Sequence, residues 1–174
     1  VNHLAELFEA AETLSSVPPL SGERLAILTN GGGAGVLATD ALADLGGVLA
    51  DLPPEAIAAL DRVLPSTWSR ANPVDIIGDA GPDRYAQSLE VVMNDGASDA
   101  VLVMNCPTAL SSSEAAAKVV VAADAKRKQV RGTSKPVLTN WLGDAEAESS
   151  RALFTKAGIP TFDTPDAAVN GFMQ

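Results

Sequence analysis

A glycine-rich turn is the clearest chemical feature of the sequence. Residues 29–35 (TNGGGAG) follow an apolar run and open an amphipathic one. Glycines allow positive φ angles and a close approach to a ligand, and the next helix start offers unpaired N–H groups and a positive dipole end. The turn therefore suits a phosphate or a carboxylate. A tight strand-to-helix turn that binds nothing by itself fits the same residues.

The same turn also carries part of a dinucleotide-binding pattern. Gly33, Gly35 and Ala38 match G-x-G-x-x-A, and Asp51 ends the second apolar run, where a ribose-binding carboxylate would stand. The pattern begins two residues late, because Gly35 already enters the predicted helix. No Lys-Ser or Lys-Thr pair follows the glycines, which excludes a Walker loop. Dinucleotide binding stays an alternative.

A second polar segment, residues 72–79 (NPVDIIGD), precedes the third predicted helix. Pro73 favours an extended Asn72, and the side chains of Asn72, Asp75 and Asp79 can pin the loop through hydrogen bonds to its backbone. An ordered crossover loop is one interpretation. A contact of Asp75 and Asp79 with a cation or a partner domain is the other, and two carboxylates alone do not define an acid/base pair.

A third segment, residues 105–113 (NCPTALSSS), leaves one strand and starts a long helix. Its hydroxyls and free N–H groups suit an anion. Ordinary capping is the alternative, with Ser111 as N-cap and Glu114 completing a capping box. Cys106 follows a buried strand beside no evident cation, so we expect an inert thiol.

Charge and composition exclude several function classes. The chain has 174 residues, 12 basic against 22 acidic, and a net charge of −10, which disfavours binding to nucleic acid or to a membrane surface. No run of 18 apolar residues and no leader-like start occurs. One cysteine and one histidine, His3, leave no His/Cys metal site, and a Ser-His-Asp triad would need the N-terminal segment to fold back into a cleft. The lone cysteine favours a cytoplasmic protein.

Alternating short apolar and longer amphipathic runs position these segments. They predict an α/β fold of three layers, with a doubly wound, parallel, five-stranded sheet in flavodoxin-like order. Ligands of such sheets bind beyond the carboxyl ends of the strands, where the three polar segments lie. We expect this domain to cover residues 23–174. Residues 1–22 are expected to form a lead-in helix and linker, with an apolar stripe of Leu4, Leu7, Phe8, Ala11 and Leu14.

Read in order, the segments TNGGGAGVLATDAL, NPVDIIGDA, DAVLVMNCPTAL, KPVLTNWLG and AGIPTFDTPDAAVNGF resemble the NDP-forming acyl-CoA synthetases. This superfamily includes ADP-forming acetyl-CoA synthetase, succinyl-CoA synthetase and protein acetyltransferases that carry the same modules. The resemblance covers residues 1–174 and is to the second of two flavodoxin-like CoA-ligase domains. It implies a piece of a longer polypeptide.

The resemblance implies a reaction that joins a carboxylic acid to CoA through an acyl phosphate and a phosphohistidine, with ATP or GTP as donor. The histidine belongs to a neighbouring ligase domain, so the resemblance implies no catalytic residue here. Instead, this domain would help to form the interface that receives the phosphohistidine loop. The positions assigned to that interface are Asn30, Gly31, Gly32, Gly33, Ala34, Gly35, Asn105, Thr108, Ala109, Leu110, Ser111, Ser112 and Ser113. In succinyl-CoA synthetase the corresponding helix start is glycine-rich, whereas Pro107 to Ser111 leave less room here.

The resemblance also implies cofactors and partners. The parent enzyme would use CoA, ATP and Mg²⁺, with none of them bound tightly by this chain. Its partners would be the CoA-binding, histidine-bearing ligase and ATP-grasp domains of the same polypeptide. A regulatory or assembly module of an acetyltransferase fusion is the alternative role.

Overall fold

Strands and helices alternate along the chain in the computed structural model, which describes residues 22–129 and 135–174. The strands are β1 (Arg24–Thr29), β2 (Val48–Leu49), β3 (Val74–Asp75), β4 (Ala100–Asn105), β5 (Val137–Trp141) and β6 (Thr161–Phe162). The helices are α1 (Gly32–Asp44), α2 (Pro54–Leu60), α3 (Pro82–Asn94), α4 (Ser113–Lys128), α5 (Ala145–Ala157) and α6 (Pro165–Met173). Apart from Gly22, the predicted lead-in helix and linker lie outside the described residues. In these two ranges no helix is long and apolar enough to cross a membrane.

The strands form one parallel sheet whose main path is β2-β1-β4-β5-β6. With the short β3 set aside, this is the flavodoxin-like order 2-1-3-4-5. The predicted fold class is therefore confirmed. The sheet has six strands and not the predicted five, because the short β3 pairs with Leu28 and Thr29 at the end of β1.

Two apolar clusters cover the two faces of the sheet. One joins Leu28 of β1 to residues of α2, α3, α4 and α5, including Tyr85 and Phe154. The other joins Ile27 of β1 to residues of α1 and α6, including Phe172. Because both faces are covered, β4 is buried along its whole length and β1 everywhere beyond its first residue. This explains their continuous apolar runs.

The side-chain amide of Asn72 joins β1 to the two short strands beside it. β2 pairs with the start of β1 and β3 with its end. Between them, Oδ1 of Asn72 accepts the N–H of Ile27 at 2.9 Å, and Nδ2 donates to the carbonyls of Leu25 at 2.8 Å and Ala50 at 2.9 Å. The amide thus adds hydrogen bonds to the backbone of β1 and of Ala50, and it fixes the entry into β3.

Candidate functional site

The polar segments singled out in the sequence meet at one edge of the sheet. β1, β3, β4 and β5 are parallel and end there, so the turns that follow them are neighbours. The turns comprise residues 30–31, 76–81, 106–112 and 142–144. None of these residues is a lysine or an arginine. Two arginines from the following helices reach these turns, and both are engaged there: Arg84 with Asp79 and the Ile76 carbonyl, and Arg151 with Asp163 and the carbonyls of Trp141 and Gly143. The turns themselves offer an anion backbone N–H groups and helix dipoles.

The glycines after β1 make room for other parts of the protein. A Cβ on Gly31 would lie 2.3 Å from Sγ of Cys106, and one on Gly32 would lie 2.8 Å from Oδ2 of Asp75. Gly35 packs against Thr29 and Pro73, whereas a Cβ on Gly33 would meet nothing within 4 Å. None of these glycines has a positive φ. The expected use of positive φ is wrong, because close packing explains Gly31, Gly32 and Gly35.

Asn30 ties this turn to the segment after β4. Its Oδ1 accepts the N–H of Cys106 at 2.7 Å, and its Nδ2 donates to the Cys106 carbonyl at 2.9 Å. The Asn30 residue is only 3% exposed. Because the Asn30 amide bonds both the N–H and the carbonyl of Cys106, the two turns are held in a fixed position relative to each other.

Asp75 places a carboxylate beside the start of α1. Its Oδ1 accepts the N–H of Ile77 at 2.9 Å, which holds Ile77 at a φ of 70°. Its Oδ2 lies next to Gly32, and α1 has no side-chain N-cap. A fixed negative charge there disfavours a second anion at this helix start.

Cys106 lies between these groups and is half-buried. Burial raises the pKa of its thiol, and the nearby charge of Asp75 raises it further. The thiol is therefore protonated at neutral pH, as in an inert packing residue.

The start of α4 differs from the predicted capping box. Ser112, and not Ser111, is the N-cap, and its hydroxyl accepts the N–H of Ala115 at 3.2 Å. Glu114 instead pairs with Lys118 at 2.6 Å on the helix surface. Ser112 and Glu114 are exposed, and Ser113 is partly exposed. The first N–H groups of α4 therefore lie at the protein surface.

Hydrogen bonds from neighbouring turns anchor the approach to α4. Thr108 donates its hydroxyl to the carbonyl of Gly78 at 3.0 Å and bridges to Ser111. The Nε1–H of Trp141 donates to the Ser113 carbonyl at 3.1 Å. Between these anchors Ala109 is exposed and Leu110 is 75% exposed. Gly78 lies in the predicted segment 72–79, but its contact with Thr108 and that of Trp141 with Ser113 were not predicted, because they form only in three dimensions.

Asn105 lies behind this surface and is 1% exposed. Its Nδ2 donates to the hydroxyl of Tyr85 at 2.9 Å, and that hydroxyl donates to the Met104 carbonyl at 3.0 Å. Burial raises the pKa of Tyr85, so its hydroxyl stays a donor. Among the described residues the Oδ1 of Asn105 has no hydrogen-bond partner. Asn105 thus joins the end of β4 to α3 in the interior.

Asp79 faces the solvent in the turn after β3. Its carboxylate pairs with Arg84, and the hydrogen bond from Arg84 lowers the pKa of Asp79. Arg84 also donates to the Ile76 carbonyl at 3.0 Å. Across the described ranges no group of three or more His, Cys, Asp or Glu side chains could hold a metal ion. The contact that the structure shows for the Asp79 carboxylate is thus with Arg84, in the first turn of α3.

The residues of the dinucleotide pattern do not come together as a ligand turn. Gly33, Gly35 and Ala38 all lie inside α1. Gly35 and Ala38 are buried, and Asp51 is exposed after β2. Because Asp75 also lies beside Gly32, the start of α1 offers little to a pyrophosphate group.

Comparisons with known proteins agree on one kind of domain. Residues 25–170 match a family model described as the Ligase-CoA domain. The chain is 37% identical over 145 residues to the ADP-forming acetate–CoA ligase I of Archaeoglobus fulgidus, covering 83% of this chain and 19% of that protein. It is 30% identical over 166 residues to the alpha subunit of the ADP-forming acetate–CoA ligase I of Pyrococcus furiosus, covering 95% and 35%.

A solved structure has the same fold. The apo form of acetyl-coenzyme A synthetase 1 from Candidatus Korarchaeum cryptofilum superposes with a TM-score of 0.91 at 34% identity, over 99% of this chain and 37% of that one. The same enzyme has also been solved in complex with phosphate and ADP. The chain therefore spans between 19% and 37% of the length of these relatives.

Proposed function

Because this chain belongs to the Ligase-CoA domain family, whose model matches residues 25–170, we propose that it serves as the CoA-ligase domain of a larger ADP-forming acyl-CoA synthetase. The parent enzyme joins a carboxylic acid to CoA while ATP is converted to ADP and phosphate. An acyl phosphate and a phosphohistidine are the intermediates. The relatives include acetate–CoA and 4-hydroxybutyrate–CoA ligases, so membership of this family does not by itself define the acid.

The histidine comes from another domain in this proposal. The chain has one histidine, His3, which lies outside the described residues. The contribution of this domain is electrostatic: the start of α4 directs backbone N–H groups toward the phosphoryl group of an incoming loop. Oriented dipoles in a dry interface stabilise such an anion without reorganising during the reaction.

The observation that carries the proposal is the difference between the two helix starts at the sheet edge. The carboxylate of Asp75 lies beside the start of α1. The start of α4 is exposed, and its acidic residue, Glu114, is paired with Lys118. An incoming phosphoryl group is therefore favoured at α4.

Exposed apolar side chains support a covering partner domain. Leu110 precedes α4 and is 75% exposed, and Val36 and Leu37 in α1 are 57% and 56% exposed. A partner that excludes water here also strengthens the interaction of N–H dipoles with the phosphoryl group. CoA, ATP and Mg²⁺ are assigned to the parent's other domains.

A matched pair of substitutions at Ser112 tests the proposal in the intact parent enzyme. Asp, Asn and Ser are comparable N-caps, so Ser112→Asp and Ser112→Asn both preserve the fold. The added carboxylate at about 6 Å from a phosphoryl group costs about 3 kcal/mol at an effective dielectric of 20. We expect Ser112→Asp to slow phosphohistidine turnover about a hundredfold and Ser112→Asn to leave it within about threefold.

Equal turnover in both variants, measured by rapid quench with radiolabelled ATP, would contradict a role of α4 in the reaction. That result would favour the regulatory or assembly role.

A further inference from the structure

Arg151 of α5 reaches the place where β5 and β6 end. Its Nε donates to the carbonyl of Trp141 at 3.1 Å, and its Nη2 donates to the same carbonyl at 2.6 Å. Nη2 also donates to the Gly143 carbonyl at 3.2 Å, and Nη1 lies 2.8 Å from Oδ1 of Asp163. The side chain of Arg151 is 24% exposed, whereas that of Asp163 is 78% exposed. The more buried contacts of the guanidinium group are therefore those with the turn after β5.

The guanidinium group holds the chain where strand pairing stops. β5 pairs with β6 through Thr139 and Asn140, so Trp141 follows the last paired residue. A guanidinium group is planar and has five N–H donors in fixed directions, whereas a lysine ammonium group acts as a point charge. Arg151 can therefore bind two carbonyls of one turn at the same time and fix the direction in which the chain leaves β5.

The turn held by Arg151 lies against the segment that leads to α4. A Cβ on Gly143 would lie 3.3 Å from Cγ of Pro107. The N–H of Leu142 donates to the carbonyl of Asn105 at 2.9 Å. The position of this turn thus determines the path of the chain after β4.

Trp141 extends the same connection to the first turn of α4. Its Nε1–H donates to the carbonyl of Ser113 at 3.1 Å. The indole is fully buried, and its ring centroid lies 4.7 Å from that of Phe154 in an edge-to-face contact. Because Phe154 and Arg151 both belong to α5, this helix holds the ring of Trp141 and its carbonyl together.

We propose that Arg151 is a positioning residue for the start of α4. This inference rests on the proposed function, in which the first N–H groups of α4 face a phosphoryl group. Arg151 does not touch that group. It acts through the turn after β5 and the indole of Trp141, which keep the N–H groups aligned. A displacement of about 1 Å is enough to slow a reaction that depends on such alignment.

Arg151→Ala in the intact parent enzyme tests the proposal. We expect kcat for acyl-CoA formation to fall about tenfold, while KM for CoA and for ATP stays within about twofold because other domains bind them. Millimolar guanidinium chloride, far below the concentrations that unfold proteins, should restore most of the lost kcat. Free guanidinium can enter the space left by the side chain and bind the two carbonyls again, whereas ammonium chloride at the same concentration should restore little.

Two further variants separate the carbonyl contacts from the charge. Arg151→Lys keeps the charge without the planar donors, so we expect a kcat between those of the parent and Arg151→Ala. Asp163→Asn removes the ion pair and leaves both carbonyl contacts, so its kcat should stay within about twofold. An equal loss in Asp163→Asn, or equal recovery of Arg151→Ala in ammonium chloride, would overturn the proposal.

Hydrogen exchange in the 174-residue chain distinguishes this proposal from the proposed function. We expect Arg151→Ala to speed exchange of the Leu142 and Ala116 amides about tenfold relative to those of α1, on the opposite face of the sheet. Arg151→Lys gives the same readout if Arg151→Ala does not fold. Unchanged exchange would overturn the positioning role. Faster exchange with unchanged kcat would support the hold of Arg151 on α4 and contradict the proposed function instead.

Discussion

The two helix starts at the sheet edge have similar positions and opposite characters. α1 follows β1 through glycines whose space is taken by Sγ of Cys106 and the carboxylate of Asp75. α4 follows β4 through hydroxyl residues, is capped by Ser112 and lies at the surface. The glycine-rich turn is therefore the closed site and the serine-rich turn the open one.

This difference shows that glycines alone do not identify a ligand site. A missing Cβ makes room, and only the folded protein determines whether a ligand or another segment takes it. Asn30 connects the two regions, since both hydrogen bonds of its side-chain amide are made to Cys106. The closed turn thereby positions the segment that leads to the open one.

The largest expected effect is at Gly31. Gly31→Ala places a Cβ 2.3 Å from Sγ of Cys106, so we expect it to lower the free energy of unfolding by about 3 kcal/mol. Gly33→Ala meets nothing within 4 Å and is expected to raise it by up to about 1 kcal/mol through helix propensity. Urea unfolding measures both.

A second substitution tests whether contact with the Cys106 sulfur causes the loss of stability in Gly31→Ala. Cys106→Ala removes the sulfur and is expected to restore part of the stability that Gly31→Ala loses. If the two glycine variants unfold at the same urea concentration, the turn is not closed in the way described.

Breaking the hydrogen bonds that link the two turns should lower the free energy of unfolding less than Gly31→Ala does, but still measurably. Asn30→Ala leaves the N–H and the carbonyl of Cys106 without their partner, which is expected to cost about 2 kcal/mol of unfolding free energy. Asn94→Ala is the matched control, because its amide donates to the Glu90 carbonyl at an exposed site. A loss there above about 0.5 kcal/mol, or no loss at Asn30, would argue against the link.

The smallest effect concerns the thiol between the regions. The start of a helix lowers a thiol pKa, whereas burial and Asp75 raise that of Cys106. Because the raised pKa keeps the thiol protonated at neutral pH, we expect alkylation by iodoacetamide to be slow there and to accelerate only above the ordinary cysteine pKa.

Asp75→Asn should lower the alkylation pKa of Cys106, since it removes one of the two causes. An alkylation pKa below the ordinary value in the unsubstituted chain would mean that the α1 dipole dominates and that the α1 start is electrostatically open.

The main elements could be predicted because their patterns are long. The apolar runs at β1 and β4 and the amphipathic run at α1 indicate a sheet covered on both faces. β3 could not be predicted, because a strand of two residues shows no periodicity in the sequence. Its position also depends on the side-chain amide of Asn72.

The site was predictable only as a set of segments. Three adjacent serines allow several N-caps, and the structure selects Ser112 where Trp141 fixes the first turn. The contacts of Tyr85 and Gly78 left no signal, because they join residues distant in sequence. The assignment of the phosphohistidine interface to α4 remains a prediction.

The most direct test of the account is reconstitution of the parent enzyme. Acyl-CoA formation from acid, CoA and ATP should be measured with the parent lacking this domain, before and after adding the 174-residue chain. We expect addition of the chain to restore formation and the Ser112→Asn chain to do the same, while the Ser112→Asp chain binds but restores little. Equal acyl-CoA formation with and without the chain would contradict the claim that this domain completes the ligase site.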